Sequence, residues 1–278
     1  MTSPDGSLRG PALGSPAGPP IDPPATHLER VAVEVAELAA ELVRSASGNA
    51  DALHTKSSPT DVVTRTDMQA ETLIREQLLQ RCPGSAIVGE EYDDAVGTNG
   101  VGWVVDPIDG TVNFLYDLPV VSVSIAATLD GVTVAGAVTD VHRGETFSAA
   151  RDGGARRDGV PITASAAHDA AHALIGTGFA YDAELRATQA DVLTRVLPVC
   201  RDIRCMGSAA LNLCWVACGR LDGYFERDLK IYDYAAGALI ATEATAVVEL
   251  PRLEAGNLIL ASAPALFGSL QDLLGERR

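Results

Sequence analysis

Two carboxylates three residues apart close an apolar run in Trp103-Val-Val-Asp106-Pro-Ile-Asp109-Gly-Thr111-Val-Asn113. Carboxylates this close repel each other unless something positive lies between them. Where a strand gives way to a turn, such a pair suits a hard divalent cation that takes oxygen ligands. The main-chain carbonyl of Ile108 is a third candidate oxygen, and Pro107 fixes the backbone of the turn. Gly110-Thr111 then reads as the opening of a helix, whose free N–H groups and positive dipole end can hold a phosphate. Metal ligands and an anion cradle would be neighbours. Taken alone, however, Asp-x-x-Asp-Gly reads at least as readily as a surface turn, because Asp and Gly fill such turns for conformational reasons.

Other elements must bring partners to this stretch. Two short apolar runs, 86–89 and 102–105, end in Glu90-Glu91 and in Asp106, and read as adjacent strands that deliver carboxylates at their ends. A helix is expected from Thr66, whose hydroxyl would cap a turn closed by Gln69, through Leu73, Ile74 and Leu78 to Pro83. It would carry Asp67 in its first turn. Upstream, Leu28, Val31, Val35, Leu38 and Leu42 recur every three or four residues opposite Glu34, Glu37 and Glu41, the pattern of an amphipathic helix from about 27 to 45. Residues 120–165 read as a β-meander turned at Asp130-Gly131, Asp152-Gly153-Gly154 and Asp158-Gly159.

The second half mixes types. Strands are expected at 173–178, 221–226 and 257–261, and helices at 187–197, 208–218, 233–244 and 264–274. Helices and strands do not alternate regularly and there is no Gly-x-Gly-x-x-Gly, so the fold class is α+β with mixed sheets rather than a doubly wound nucleotide fold. Residues 1–25, rich in Pro, Gly and Ser, are expected to be a disordered leader. Residues 26–278 would form a single domain, with the metal site in an N-terminal half to about 165 and an α/β half from about 166.

The 278 residues are 47% hydrophobic and 21% charged, the composition of an ordinary globular chain. Acidic residues outnumber basic ones 37 to 21, and no Lys/Arg cluster could follow a nucleic-acid backbone, so direct nucleic-acid binding is not expected. A chain of net charge −16 gains nothing from long-range attraction to a phosphorylated substrate, which must be caught locally by cations or backbone amides. Five cysteines, Cys82, Cys200, Cys205, Cys214 and Cys218, are odd in number and lack C-x-x-C spacing; they read as reduced core residues. No apolar run approaches the roughly 18 residues of a membrane span. A cytoplasmic location follows as an expectation.

The motif Asp106-Pro-Ile-Asp109-Gly-Thr111 resembles the first signature of the inositol monophosphatase family, and the flanking Trp103-Val-Val and Asn113-Phe114 are similar to it as well. Lys56-Ser-Ser-Pro-Thr-Asp61-Val-Val-Thr-Arg-Thr66-Asp67 and Gly89-Glu90-Glu91 resemble two further N-terminal motifs. Ile231-Tyr-Asp233-Tyr-Ala-Ala-Gly237 resembles the second signature, and Arg204-Cys-Met-Gly-Ser208-Ala-Ala-Leu-Asn212 the segment lining the substrate pocket. They follow in family order from about residue 27 onward. The resemblance implies a layered α-β-α-β-α sandwich like that of inositol monophosphatase and fructose-1,6-bisphosphatase.

It also implies two to three Mg2+ ions per subunit: one on Glu90, Asp106 and the Ile108 carbonyl, one on Asp106, Asp109 and Asp233, and a looser third sharing Glu90. Asp67 and Thr111 would hold the attacking water, with no phosphoenzyme. Asp109, Gly110, Thr111, Ser208, Ala209 and Glu226 would bind a small phosphorylated polyol, inositol 1-phosphate above all. Glu226 has an alternative reading as an ion-pair partner of Arg227 or Lys230, Asp67 as a favourable first-turn charge, Asp233 as a plain helix cap. Tyr232 stands where the family usually has Trp. A homodimer and lithium sensitivity are implied too. Fructose 1,6-bisphosphate, histidinol phosphate and 3′-phosphoadenosine 5′-phosphate remain alternative substrates. A non-catalytic interaction protein on the same fold remains an alternative of another kind, since bacterial relatives join transcription machinery.

Overall fold

The structure, a computed structural model, describes residues 24–49, 52–55, 62–251 and 257–275. The chain enters through helix α1 (Ala25–Ala46), an antiparallel pair β1 (Ala52–Thr55) and β2 (Val62–Thr64), and helix α2 (Arg65–Arg81). A seven-stranded sheet follows in sequential order: β3 (Ala86–Gly89), β4 (Val101–Asp109), β5 (Ser122–Leu129), β6 (Val132–Asp140), β7 (Glu145–Ala150), β8 (Ala155–Arg157) and β9 (Val160–Pro161). Within this sheet, among the described residues, only β3 and β4 pair in parallel; a short helix, α3 (Thr111–Leu115), separates β4 from β5. Next come β10 (Leu174–Thr177), α4 (Ala183–Val196), β11 (Asp202–Cys205), α5 (Ala209–Ala217), β12 (Gly223–Arg227), α6 (Ile231–Glu243), β13 (Val247–Glu249), β14 (Leu258–Ser262) and α7 (Phe267–Leu274). The five strands make a mixed sheet ordered β11-β10-β12-β14-β13.

The period-two side-chain alternation of strands sorts residues into separate cores. Trp103 and Val105 of β4 point with Ile125 and Ala127 toward α1 and α2, whereas Val104 and Ala126 point toward α5 and α6. Beyond α5 and α6, Tyr224 of β12 faces the same central layer while its neighbour Phe225 faces α4 and α7. The layers are therefore α, β, α, β, α, as the resemblance implied. All nine residues of α5 and Ala235–Ala241 of α6 are buried, which a helix between two sheets requires and an amphipathic surface helix does not show.

Several expectations change. The cap of α2 is Thr64, not Thr66: its hydroxyl accepts from Asp67 N–H while Asp67 Oδ2 accepts from Thr64 N–H at 2.9 Å. Thr66 lies inside the first turn and is buried. Ala25, placed in the leader, is the first residue of α1, and residues 1–23 of that leader lie outside the described part, as do Lys56–Asp61 of one motif. Helix α4 starts earlier than expected because Asp182 caps it, accepting from Glu184 and Leu185 N–H. Helix α7 starts three residues later than expected, at Phe267. Strands β1, β2, β11 and β13 lacked a sequence signal. The meander turns hold: Asp130-Gly131 and Asp158-Gly159 both have two successive positive φ angles, the geometry of a tight hairpin turn. The cysteines are free thiols, but Cys205 is exposed rather than a core residue.

Candidate active site

In a regular strand, positions 106 and 109 would project to opposite faces. Here Asp106 pairs with Ser124 and Asp109 with Ser122, so three residues of β4 span two of β5. The extra residue is a bulge, and it turns both carboxylates to the same side. Asp106 Oδ1 accepts from Ile108 N–H at 3.0 Å. Asp109 is gripped across the central layer: Oδ2 accepts from Ser208 Oγ at 2.6 Å, Ala210 N–H at 2.8 Å and Ser122 Oγ at 3.2 Å, and Oδ1 from Ala209 N–H at 3.1 Å. Ser208 and Ala209 are thus engaged with Asp109, at the N-terminus of α5. Gly110 follows with φ 105, and a Cβ there would lie 2.9 Å from Val120 O and 3.0 Å from Gly207 O, so only glycine fits. The helix it opens, α3, is five residues long; an anion there meets amide N–H groups rather than a developed helix dipole.

Asp67 reaches the same place from α2. It is fully enclosed, accepts from Thr64, and accepts from Thr111 Oγ1 at 3.2 Å. That hydroxyl also lies 3.0 Å from the Ile108 carbonyl, and its one proton serves one acceptor at a time. Asp233, in the first turn of α6, accepts from Lys230 N–H and so is indeed a cap, but it also lines the site. Glu226 accepts from Tyr224 Oη at 2.6 Å. Asn113 ties the loops together, donating to Val120 O at 2.8 Å and Met206 O at 2.7 Å.

Glu90, Asp106, Ile108, Asp109, Gly110, Thr111, Ser208, Ala209, Glu226 and Asp233 all line one cavity of about 500 Å³. Asp67 stands behind Thr111 and does not line it. Its outer wall is the segment Gly178-Phe-Ala-Tyr-Asp182 with Leu185, and Tyr232 and exposed Cys205 also face it. The wall, the Ser122 donor, the Ala210 amide and the Tyr224 partner of Glu226 were not read from the sequence. They arise from strand register and layer packing between distant segments; only Asp182, two residues before Glu184, carried a local signal, that of a helix cap.

The electrostatics are one-sided. Burial raises Asp106 well above the usual carboxylate range, and Glu90, Asp109 and Asp233 push it further; its carboxyl stands within hydrogen-bond reach of Glu90. Asp233 is raised by burial and then by Asp109. Asp109 is raised by burial against the lowering effect of its four donors, and Asp67 by burial against those of Thr64 and Thr111. Glu226 is pushed up to about 7, mainly by burial, with the Tyr224 hydroxyl opposing. Two carboxyls in contact, with two more beside them, must share a proton or a cation. An all-oxygen donor set of this kind fits Mg2+ or another hard ion. The ligands line the cavity rather than close around one point: among the described residues, no group of three His, Cys, Asp or Glu side chains is already gathered at coordination spacing.

Residues 25–273 match the Inositol monophosphatase family. An inositol-1-monophosphatase of Mycobacterium leprae is 47% identical over 241 residues, 81% of this chain and 83% of that protein. A protein of Salmonella typhimurium named Nus factor SuhB is 38% identical over 221 residues, 78% of this chain and 83% of its own. Among solved structures, Mycobacterium tuberculosis SuhB superposes with a TM-score of 0.77 at 41% identity, covering 90% of this chain and 96% of that one. The match to family and relatives over most of the length, on a fold with the same layers, makes this chain a phosphomonoesterase belonging to the inositol monophosphatase family.

Proposed function

We propose that the protein hydrolyses a small polyol phosphate, myo-inositol 1-phosphate first among the candidates, with Mg2+ as cofactor. The observation that carries this reading is the convergence of Glu90, Asp106, Asp109 and Asp233 from β3, β4 and α6 on one cavity, beside Thr111 and its partner Asp67. Glu90, Asp106 and the Ile108 carbonyl would hold one ion; Asp106, Asp109 and Asp233 a second; a third, looser one would share Glu90. When bound, such ions acidify a water and neutralise the phosphate oxygens and the leaving alkoxide. Asp67 and Thr111 would hold the attacking water together: the Thr111 hydroxyl meets it at the cavity wall, accepting from it while donating to Asp67 Oδ1 behind at 3.2 Å. Amides following Gly110 face the phosphate. Glu226, whose Oε2 is held by Tyr224, offers its other oxygen to a substrate hydroxyl, and an ester lacking that hydroxyl would forgo this bond at about 1–3 kcal/mol.

The same reading includes a single domain over residues 26–278, a homodimer, lithium sensitivity and a cytoplasmic location, all resting on the family. No helix among the described residues is long and apolar enough to cross a membrane. A second reading, a protein-binding role, is suggested by the Salmonella relative named Nus factor SuhB; the complete acid set and its Asp67–Thr111 pair favour catalysis. The test is phosphate release from inositol 1-phosphate, fructose 1,6-bisphosphate, histidinol phosphate and 3′-phosphoadenosine 5′-phosphate, with wild type and Glu226→Gln. Preference for inositol 1-phosphate that Glu226→Gln narrows supports the substrate assignment; preference for another ester overturns the assignment and keeps the chemistry.

A further inference from the structure

Behind the site lies a carboxylate that the chemistry above does not use. Glu71 of α2 is fully enclosed, a costly position for an ion without partners. Its Oε1 accepts from Arg75 Nε at 2.8 Å and its Oε2 from the main-chain N–H of Glu91 at 2.8 Å. Arg75 donates to Tyr92 O at 3.2 Å and stacks on the Tyr92 ring, 5.7 Å from its centroid. The Tyr92 hydroxyl in turn bonds Thr72 Oγ1 at 3.0 Å. Positions 71, 72 and 75 share one face of the helix. That face seats residues 89–92, the strand exit that carries Glu90.

Gly89 shows how close the seating is. A Cβ there would stand 2.0 Å from Glu71 Oε1 and 2.8 Å from an Arg75 nitrogen, so no side chain at 89 is compatible with the ion pair in place. One turn upstream, the capping box with Thr64 fixes Asp67 on the same helix. A single rigid element therefore sets the distance between the residue that orients water and the strand exit that bears a metal ligand.

We infer that Glu71, paired with Arg75, is a positioning residue that sets the affinity of the site for the cation held by Glu90; this rests on the function proposed above. Residues that orient a metal ligand from outside typically change affinity by about 10–100-fold when removed. The test is calorimetric titration of the substrate-free full chain with Mn2+ and Mg2+, for wild type, Glu71→Ala and Glu71→Gln, with thermal midpoints in EDTA. Glu71→Ala is expected to weaken cation binding by about tenfold or more, with KM for inositol 1-phosphate unchanged at saturating Mg2+. Glu71→Gln, which keeps one acceptor oxygen instead of two, should fall between, and it decides the matter if the alanine variant does not fold. Unchanged cation affinity in a folded variant overturns the inference alone. A wild-type chain that binds neither cation overturns it together with the proposed function.

Discussion

Replacing Asp106 by Asn should stabilise the metal-free protein while abolishing its response to magnesium. Asp106 is raised well above the ordinary carboxylate range, first by burial and then by Glu90, Asp109 and Asp233. A carboxyl whose folded pKa exceeds its unfolded value contributes stability that is complete below the unfolded value, about 4, and is lost as pH rises through the folded one. Each such group costs about 1.4 kcal/mol per pH unit between the two. The metal-free wild type should therefore weaken steadily as pH rises above 5. The amide of Asp106→Asn keeps an Oδ1 acceptor for Ile108 N–H, does not titrate, and relieves Glu90, Asp109 and Asp233 of a like charge. A gain of about 1 kcal/mol moves the midpoint of a chain this size by roughly 2–4 °C. Thermal melts in EDTA at pH 5 to 8 should show the variant melting at least that much higher at pH 7.5, the gap closing toward pH 5. In Mg2+ at a hundred times its dissociation constant, wild type alone should gain about 2.7 kcal/mol. A metal-free variant less stable than wild type at every pH, or one stabilised by Mg2+ as much as wild type, would refute the reasoning.

Gly110→Ala forces a Cβ against Val120 O and Gly207 O at φ 105; a cost of about 1–3 kcal/mol in urea denaturation is expected, with loss of phosphatase activity. Ser208→Ala removes both the cap to Leu211 N–H and the 2.6 Å donor to Asp109, and should cost about 1–2 kcal/mol by the same assay. Thiol labelling followed by mass spectrometry should mark exposed Cys205 ahead of buried Cys82 and Cys214, and inorganic phosphate with Mg2+ should slow that labelling, because Cys205 faces the cavity.

The site was legible in the sequence where its chemistry is local and hidden where it depends on register. Asp106, Asp109 and Thr111 sit in one short motif, and Glu90 and Asp67 in two others; residue type and spacing made them candidates, and the resemblance of the motifs to the family's, in the family's order, singled them out over surface turns and a first-turn charge. What makes the pair at 106 and 109 converge is a bulge against Ser122 and Ser124, and nothing in β4 alone announces a pairing partner. The four donors to Asp109 come from positions thirteen to about a hundred residues away, as does no signal a window can read. Amphipathic α1 was read from its periodicity, whereas α5, buried on all sides, was found by its Ser208 cap, and α6 was expected from Asp233 but starts two residues earlier, at Ile231, with Asp233 inside its first turn. The cap at Thr64 was missed because the next threonine also offers a hydroxyl, and only the strand that precedes α2 decides which residue is extended. Strand β11 reads Asp-Ile-Arg-Cys, too polar and short to declare itself at a sheet edge.

Magnesium-dependent hydrolysis is tested most directly by initial rates of phosphate release from myo-inositol 1-phosphate by the chelated protein, before and after Mg2+ is restored. Release that is absent in EDTA, returns with Mg2+, and does not return in Asp106→Asn is the expected result. Turnover that survives chelation unchanged, or no turnover when Mg2+ is demonstrably bound, would contradict it.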